Sequence, residues 1–381
     1  MINRIKSKRI VLADSVVSGY VYFENAKIVA VTADELPFDT EIDVGDKYVA
    51  PGFIDMHTHG GGGHDFLSST EDVIEGCNFH LSHGATSICP TLTSSPFEKM
   101  ADGVRYVEAA MSDSRTRPNI IGAHLEGPYL SFKQSGAQSA GCITPPIAKD
   151  YEPLIEQHGK AIARWTYAPE NDEGGAFCKY LSEHGIVPSL GHTDATYGDV
   201  LTAIENGCTS VTHLYSCTST ITRDHGYRVL GVTESALLFD ELCAELICDG
   251  RHLPPELIRL AVKTKGVDNV MAVTDSLAIV GTDIKHGWLV DTEFVIEDGV
   301  CRLMDRSAFA GSIATADRCV RVLTSDVGLT FPEAVRMISA VPARVLGVNK
   351  GELAQGKDAD IVVFDSDVNI SHIWVMGERV K

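Results

Sequence analysis

Between residues 52 and 346 the chain alternates short apolar runs with longer stretches of helical character, and this alternation restricts the fold most. The apolar runs read FIDMH, SICPTL, IIGAHLE, RWTYAPE, VPSLGH, SVTHL, ELICD and VMAVTD. Runs of this length, rich in aliphatic and β-branched residues, are typical of buried parallel strands. Eight such strands separated by helices predict an α/β fold, a (β/α)8 barrel of the TIM type.

The intervening segments have the length and apolar spacing of helices. Residues 97–111 (FEKMADGVRYVEAAM) and 254–265 (PPELIRLAVKTK) each predict one helix. Residues 331–347 (FPEAVRMISAVPARVLG) predict a final pair of helices, broken at Pro342 because proline cannot donate a backbone hydrogen bond.

The two ends of the chain have a different pattern from its centre. Short alternating runs separated by turns, such as KRIVLAD near the start and DADIVVFDSD near the end, are typical of strands and hairpins. We expect residues 1–51 and 347–381 to form one small composite β domain of the sandwich type. The barrel, residues 52–346, is then inserted between its halves, since the termini of a compact insert often lie close together.

Composition excludes several classes of protein. The formal net charge of −20 argues against nucleic acid and anionic membranes as partners. No apolar run is long enough to cross a membrane, and the start of the chain lacks the apolar region of a signal peptide. The ten cysteines include no C-x-x-C pair and form no regular framework, so we expect reduced, mostly buried thiols in a cytoplasmic protein.

Six potential metal ligands lie at or just beyond the ends of five apolar segments. They are His57, His59, Glu126, His192, His213 and Asp275. The carboxyl ends of parallel barrel strands converge on one mouth, where the chemistry of such barrels takes place. Histidines and carboxylates brought together there indicate a metal-dependent hydrolase.

The spacing of these residues indicates how they act. His57 and His59 are two apart on a strand end, so both imidazoles point to the same side and can bind one divalent ion. Glu126 is placed to bridge two cations, and His192 and His213 complete a second set of ligands. Imidazole and carboxylate ligands suit Zn²⁺ or Fe²⁺, and Mn²⁺ or Co²⁺ less well, with one or two ions per subunit.

Asp275 follows the eighth strand and is our candidate catalytic residue. A carboxylate beside an activated water can take its proton and later pass it to a departing amine. Two other interpretations stay open, a metal ligand or a helix cap at Ser276.

The remaining histidines have weaker signals. His124 lies two residues before Glu126 and either supports the neighbouring ligands or is buried in the barrel wall. Loop or helix-surface positions without a role are predicted for His64, His80, His83, His158, His184, His286 and His372.

The motifs PGFIDMHTHG, HLEGPYL, GHTDAT, THLY, CDGRH, VTDS and AGS together resemble the amidohydrolase superfamily. More narrowly, the chain is similar to the N-acetylglucosamine-6-phosphate deacetylase family over essentially its whole length. The resemblance implies that Glu126, His192 and His213 are the principal metal ligands and that His57 and His59 form an additional site. It implies that Asp275 is the general acid and base, and that the reaction releases acetate from N-acetyl-D-glucosamine 6-phosphate.

The same resemblance implies a substrate pocket. Gln138, with Ala137 beside it, is expected near the scissile amide, where an uncharged donor stabilises the developing oxyanion. Arg251 and His252 belong to a sugar-phosphate loop, and His252 is expected to reach the phosphate across the interface of a homodimer. Residues Ala310, Gly311 and Ser312 match a loop that closes over the sugar.

One region departs from the family pattern. Most members read Asn-Ala-Met after HLY, whereas this chain has Ser216 and Cys217, followed by Thr218. The backbone N–H groups of Ser216 and Cys217 can still bind an anion. Arg223 is the best match for the phosphate-binding arginine, and the shifted spacing makes Arg228 a competitor, since guanidinium pairs well with phosphate.

The sequence admits three alternative functions. A deacetylase of another amino sugar phosphate, such as N-acetylgalactosamine 6-phosphate, is barely distinguished by sequence. A cyclic-amide hydrolase of the dihydroorotase kind usually has a modified lysine on strand four, and RWTYAPE contains none. A catalytically inactive assembly protein is disfavoured because every ligand and the acid–base residue are retained.

Overall fold

The computed structural model describes residues 1–381, and its elements are numbered here along the chain. The strands of the first half are β1 (Ile2–Val11), β2 (Val16–Glu24), β3 (Lys27–Thr32), β4 (Thr40–Asp43), β5 (Tyr48–Pro51), β6 (Phe53–Thr58), β7 (Gly60–Gly61), β8 (His64–Asp65), β9 (Ala85–Thr93), β10 (Asn119–Ile120), β11 (Ala123–Glu126), β12 (Ile162–Tyr167) and β13 (Val187–Leu190). Those of the second half are β14 (Ser210–Val211), β15 (Thr222–Asp224), β16 (Tyr227–Val229), β17 (Cys243–Ile247), β18 (Val270–Val273), β19 (His286–Leu289), β20 (Thr292–Glu297), β21 (Val300–Leu303), β22 (Phe309–Gly311), β23 (Ile361–Phe364), β24 (Ile370–Val375) and β25 (Glu378–Arg379). The α-helices are α1 (Thr70–Leu81), α2 (Phe97–Met111), α3 (Ala148–His158), α4 (Ala176–Glu183), α5 (Tyr197–Glu205), α6 (Val232–Leu238), α7 (Pro255–Lys265), α8 (Ala316–Ser325), α9 (Phe331–Met337) and α10 (Ala340–Val345).

Eight parallel strands form the predicted barrel. Their order is β6, β9, β11, β12, β13, β14, β17 and β18, with the short β10 also pairing with β9. A parallel bridge between Thr58 and Ser276 joins the end of β6 to the segment after β18 and so brings the first and last strands together. Each of the eight apolar runs overlaps one of these strands, which confirms the predicted fold.

The two ends of the chain meet in a second sheet. Its eight strands run in the order β25, β24, β23, β5, β1, β2 and β3, with β4 also paired to β1. Strand β23 pairs antiparallel with β5, so a strand near the end of the chain lies beside one near its start. The division into domains at residues 51 and 347 stays a prediction.

An aromatic cluster fills the space between the barrel and helix α4. Phe177 lies 5.1 Å from the Tyr129 ring and 5.3 Å from the Trp165 ring, in edge-to-face geometry. The Tyr129 and Trp165 rings stack 5.7 Å apart. The indole N–H of Trp165 donates to the carbonyl of Gly127 at 2.8 Å, so the one polar group of this large side chain is satisfied.

The final helix pair exists, but the predicted break at Pro342 is wrong. Helix α9 ends at Met337 and α10 begins at Ala340, so the break falls at residues 338–339. Pro342 is the third residue of α10, where a helix does not need its backbone N–H as a donor. Helices α2 and α7 agree with their predicted ranges to within one residue.

Two antiparallel elements were not predicted. Strands β19 to β22 form a four-stranded sheet between β18 and α8, and β15 and β16 form an exposed hairpin.

All ten cysteines are free thiols, of which eight are buried, as expected; Cys142 and Cys217 are half-buried. None of the helices combines the length and the apolar character needed to cross a membrane.

Candidate metal centre and active site

The barrel strands place all six candidate metal-site residues at one mouth. His57 lies in β6 and Glu126 ends β11, while His192, His213 and Asp275 each lie two residues beyond the end of a strand. His59 follows β6 directly, and all six side chains are buried. The structure therefore brings together every residue of the predicted metal centre.

Three of these residues form a first cluster around a carboxylate. Oε1 of Glu126 lies 2.9 Å from Nε2 of His213 and 3.2 Å from Nε2 of His192. The two imidazole nitrogens are themselves 3.2 Å apart. One ligand atom from each residue thus lies within 4.8 Å of the others, a spacing that suits a single cation.

The other three residues form a second cluster next to the first. Oδ1 of Asp275 lies 3.1 Å from Nε2 of His59 and 3.3 Å from Nε2 of His57. Glu126 lies between the clusters, since Oε1 is 3.5 Å from Nε2 of His57 and Oε2 is 3.3 Å from Nε2 of His59. A carboxylate in this position is placed to bridge two ions.

The side chains of the two clusters have the chemistry of metal ligands. Nε2 of His57 is fully buried, makes no hydrogen bond and faces the carboxylates of Asp275 and Glu126. A buried polar atom without a partner is costly, and a cation between these groups would satisfy it. Imidazole and carboxylate ligands of this kind suit first-row divalent ions.

Both carboxyl groups are held in the ionised form. Burial would raise the pKa of Glu126, but the charge of His57 and hydrogen bonds with His192 and His213 hold that pKa well below its usual value. Burial likewise opposes ionisation of Asp275, yet the neighbouring His57 and His59 lower its pKa. Anionic oxygens therefore face the centre of the site at neutral pH.

The backbone is strained where three of these residues leave their strands. His192, His213 and Asp275 have φ values of 48°, 29° and 48°, in the left-handed region that side chains other than glycine rarely adopt. Such strain is characteristic of functional sites, and here it occurs where three side chains turn into the barrel mouth.

The outer nitrogens of three of the four imidazoles are held by the surrounding protein, whereas Nδ1 of His213 is buried without a hydrogen-bond partner. Nδ1 of His59 is hydrogen-bonded to the hydroxyl of Thr93 at 2.8 Å, and Nδ1 of His192 lies 2.9 Å from the carbonyl of Gln134. Nδ1 of His57 donates to Oε1 of Glu245 at 2.7 Å. These contacts orient the rings so that each Nε2 faces the centre.

Sequence reasoning missed Glu245 and its partner Arg164, which lie inside β17 and β12. Burial alone would raise the pKa of Glu245, but the charges of Arg164 and His57 lower it to about 2. A charged residue within an otherwise apolar strand was the available signal, because such residues are rarely buried without a partner.

The structure shows where two further histidines, His80 and His124, are buried and what they contact. His80, expected in a loop or on a helix surface, is instead fully buried, and its Nε2 lies 2.8 Å from the carbonyl of Gly60. His124 is buried in the barrel wall and also supports the site. Its ring meets that of His57 edge-on at 4.6 Å, and its nitrogens are hydrogen-bonded to Thr91 and Thr166.

A cavity of about 170 Å³ opens over the two clusters. Seven of the predicted substrate-binding residues line it: Ala137, Gln138, Ser216, Cys217, His252, Ala310 and Gly311. Ser312 lies behind the wall, where its backbone N–H donates to the carbonyl of Asp275 at 2.9 Å. The lining also includes Leu289, Ala308 and Phe309, from or beside the unpredicted four-stranded sheet.

The three predicted arginines are not among the residues that line this cavity. Arg223 and Arg228 are exposed and face each other across the hairpin of β15 and β16. Arg251 is also exposed, whereas its neighbour His252 is held inward by a 2.9 Å hydrogen bond from Nδ1 to Oδ2 of Asp249. The polar wall of the cavity therefore consists of histidine, carboxylate, amide, thiol and hydroxyl groups, without an arginine.

Comparison with known proteins agrees with this geometry. The model of the amidohydrolase family matches residues 48–380. N-acetylglucosamine-6-phosphate deacetylase from Lysinibacillus sphaericus is 32% identical over 344 residues, which are 88% of this chain and 86% of the relative.

Solved structures of the same enzyme superpose over the whole molecule. The deacetylase from Pasteurella multocida has a TM-score of 0.92 at 30% identity, covering 100% of this chain and 99% of that chain. A mutant of the enzyme from Mycobacterium smegmatis, in complex with N-acetyl-D-glucosamine-6-phosphate, has a TM-score of 0.92 at 28% identity with the same coverage. The chain therefore belongs to the amidohydrolase family and, within it, to the N-acetylglucosamine-6-phosphate deacetylases.

Proposed function

We propose that this chain hydrolyses the N-acetyl amide of N-acetyl-D-glucosamine 6-phosphate to D-glucosamine 6-phosphate and acetate. The observation that supports this most directly is the position of Asp275. Its carboxylate lies against His57 and His59 and lines the same cavity as Glu126, His192 and Gln138. A base, a metal-type donor set and an amide donor around one cavity are the parts that amide hydrolysis needs.

Glu126, His192 and His213 would hold one divalent cation, and His57, His59 and Asp275 are placed to hold a second. Members of the amidohydrolase family are metal-dependent, and we propose Zn²⁺ or Fe²⁺, with Mn²⁺ and Co²⁺ as further candidates. A bound cation would polarise the amide carbonyl and lower the pKa of a nearby water.

The side chains of the protein then have distinct tasks. Asp275, held ionised, accepts a proton from the water as the water oxygen attacks the acetyl carbonyl carbon. The carbonyl oxygen becomes an oxyanion, to which the amide N–H of Gln138 donates. Asp275 then passes the proton to the sugar nitrogen, the C–N bond breaks, and acetate leaves.

Recognition of the sugar phosphate is assigned to the rim of the cavity. The backbone N–H of Ser216 already donates to the carbonyl of His213 at 2.9 Å, so Ser216 can contact the substrate only through its other groups. We propose that His252, Ser216 and the backbone N–H of Cys217 contact the substrate, with Ala137 beside Gln138 and the loop at Ala310 closing over the sugar. The phosphate is assigned to Arg223 or Arg228, with Arg251 as a further rim cation. A homodimer in which His252 acts across the interface also stays our proposal, although His252 lines the cavity of its own chain. The hairpin that holds Arg223 and Arg228 is exposed and does not line that cavity, so in such a dimer it could instead contact the substrate of the partner subunit.

Acetate release tests the reaction. Metal-loaded protein would be given N-acetyl-D-glucosamine 6-phosphate, the unphosphorylated sugar and N-acetyl-D-galactosamine 6-phosphate in parallel. We expect rapid release from the first substrate and a large loss of kcat/KM without the phosphate. Faster release from the galacto compound would move the assignment to that epimer, and no release from any of them would refute the proposed reaction.

Two further proposals concern the state of the protein in the cell. Free thiols are typical of a reducing compartment, so we propose a cytoplasmic location. Sedimentation of the purified protein would test the homodimer, and the expected outcome is a single species of twice the chain mass.

A further inference from the structure

Two charged side chains, Arg164 and Glu245, are completely buried inside the barrel wall. Arg164 lies in β12 and Glu245 in β17, and neither has measurable exposure. Burial of one charge alone would be very costly, so the two must be considered together. Their position directly behind the metal cluster suggests a task beyond mutual neutralisation.

The two oxygens of Glu245 contact different groups. Oε1 accepts a hydrogen bond from Nδ1 of His57 at 2.7 Å and one from the backbone N–H of His213 at 3.1 Å. Oε2 accepts from the guanidinium of Arg164. A single carboxylate oxygen therefore contacts one residue from each of the two ligand clusters.

Arg164 is held in place by a network of its own. Nη2 donates to the hydroxyl of Ser189 at 3.0 Å and to that of Thr212 at 2.9 Å. The hydroxyl of Ser189 lies in β13 and that of Thr212 directly after β14, so two further parts of the barrel wall hold the guanidinium in place. The Glu245 carboxylate is thereby held against movement away from His57.

We propose that Glu245, held by Arg164, is a positioning residue that orients His57 and the backbone of His213 for metal binding. The hydrogen bond from Nδ1 keeps the proton of His57 on the side facing Glu245. A metal ion can bind only when Nε2 of His57 carries no proton, and Nε2 then presents its lone pair towards Asp275 and Glu126. Imidazole ligands commonly depend on such a carboxylate for their orientation, and its loss weakens metal binding.

A purely structural ion pair would behave differently. If Arg164 and Glu245 served only to stabilise the barrel, their loss would lower stability without changing the affinity for metal at its centre. The experiment therefore needs a readout of metal binding that is separate from activity and from folding. This inference rests on the metal centre of the proposed function, but not on the identity of the substrate.

Glu245→Gln is the most direct variant. Glutamine has only one acceptor oxygen, so it cannot accept from Arg164 and from His57 together. If its oxygen faces Arg164, its NH2 group faces Nδ1 of His57 and favours the tautomer with a proton on Nε2, which cannot bind a cation. We expect at least one Zn²⁺ to bind about 10- to 100-fold more weakly, measured by competition with a chelating dye.

Asp360→Asn provides the matched control. Asp360 is also a buried carboxylate, and it accepts from Nζ of Lys350 at 2.8 Å and from the backbone N–H of Met376 at 2.7 Å. It lies before β23 in the sheet formed by the chain ends, so its loss should lower the melting temperature and leave Zn²⁺ affinity within about twofold of wild type. The visible spectrum of the Co²⁺-loaded protein should change only in Glu245→Gln.

Three outcomes would overturn the inference. The first is a Glu245→Gln protein that binds both cations within twofold of wild type with an unchanged Co²⁺ spectrum. The second is an equal loss of metal affinity in Asp360→Asn, and the third is an absence of any effect of His57→Asn on metal binding. If Glu245→Gln does not fold, Glu245→Asp replaces it, because the shorter side chain keeps the charge but withdraws from His57 and should also bind metal more weakly.

Failure of this inference and failure of the proposed reaction are distinguishable. Metal affinities of wild type and variants are measured without substrate, so they decide the role of Glu245 even if no acetate is released. Conversely, normal acetate release by a Glu245→Gln protein with unaltered metal affinity would leave the proposed reaction intact and remove Glu245 from it.

Discussion

Gln138 donates a hydrogen bond from Nε2 to Oε2 of Glu126 over 2.7 Å. Its Oε1 in turn accepts from the backbone N–H of Ser94 at 3.0 Å. The amide is therefore held in one orientation, and one N–H is left to donate to a substrate in the cavity. Gln138 connects the carboxylate between the two clusters to the place where the oxyanion is expected to form.

Replacing Gln138 with alanine should lower kcat strongly. Loss of one donor to an oxyanion typically reduces kcat by about 10² to 10³. The test is acetate release by Gln138→Ala under saturating metal. Gln134→Ala is the control, because the Gln134 side chain contacts Asp194 while its carbonyl, which holds His192, is unchanged. An effect of equal size in both variants would contradict the assigned role.

Asp275→Asn should abolish turnover while the first cluster still binds metal. An asparagine cannot accept the proton of the attacking water, and general base catalysis typically contributes about 10² to 10⁴ in rate. Metal content is measured by elemental analysis beside acetate release. Loss of activity together with all bound metal would show that the first cluster also depends on Asp275, and retained activity would contradict its role as a base.

Removal of metal should inactivate the protein and lower its melting temperature. A ligand that binds only the folded state stabilises it by about 3 kcal/mol at one hundred times its Kd. Activity and thermal unfolding are measured before chelation, after it, and after addition of Zn²⁺ or Mn²⁺. His213→Asn is the comparison, since a protein that lacks this ligand should respond to the chelator much less than wild type does.

Phe177→Ala should cost about 3 to 5 kcal/mol in the free energy of unfolding, because it leaves a cavity in a well-packed core. The ring is 1% exposed and contacts Tyr129, Trp165 and Tyr151. Urea unfolding measures the difference. Phe132→Ala is the control, as that ring is 66% exposed and its loss should change stability by less than about 0.5 kcal/mol.

His80 should make stability dependent on pH. Burial, opposed in part by the hydrogen bond to Gly60, lowers the pKa of His80 from 6.5 to about 4. Between these values the unfolded chain binds a proton that the folded chain does not, so the free energy of unfolding falls as the pH decreases. From pH 7 to pH 5 we expect a contribution of about 2 kcal/mol.

Urea unfolding of chelator-treated protein at several pH values tests this dependence. His80→Gln should have a smaller loss of stability between pH 7 and pH 5 than wild type has. His184→Gln is the matched control, since His184 is exposed at the end of α4. The same pH slope in wild type and His80→Gln would refute the prediction.

The barrel and the metal centre were predictable because both follow from local patterns. Buried strands have apolar runs, and a residue such as His192 or Asp275 stands out directly after one. The sequence also predicted Gln138 near the centre, through its resemblance to a family. What it could not predict are contacts between distant strands, such as the one from Glu245 to His57, since a single charge in a strand does not identify its partner.

The other differences between the sequence predictions and the structure also have identifiable physical causes. Pro342 was expected to break a helix, but proline is tolerated in the first turn, and the start of α10 could not be located from composition. His80 was expected in a loop or on a helix surface, but it lies on the buried face of α1. The four-stranded sheet from β19 to β22 consists of short strands with exposed residues such as Trp288, so its hydrophobic pattern is weak.

The pairing of β23 with β5 has a consequence for the life of the protein in the cell. One side of β5 stays without a partner until nearly the whole chain has been synthesised. A product of premature termination, or one clipped before β23, therefore presents an open strand edge that other chains can pair with and that chaperones and proteases can recognise. Only a chain that includes β23 covers this edge of β5.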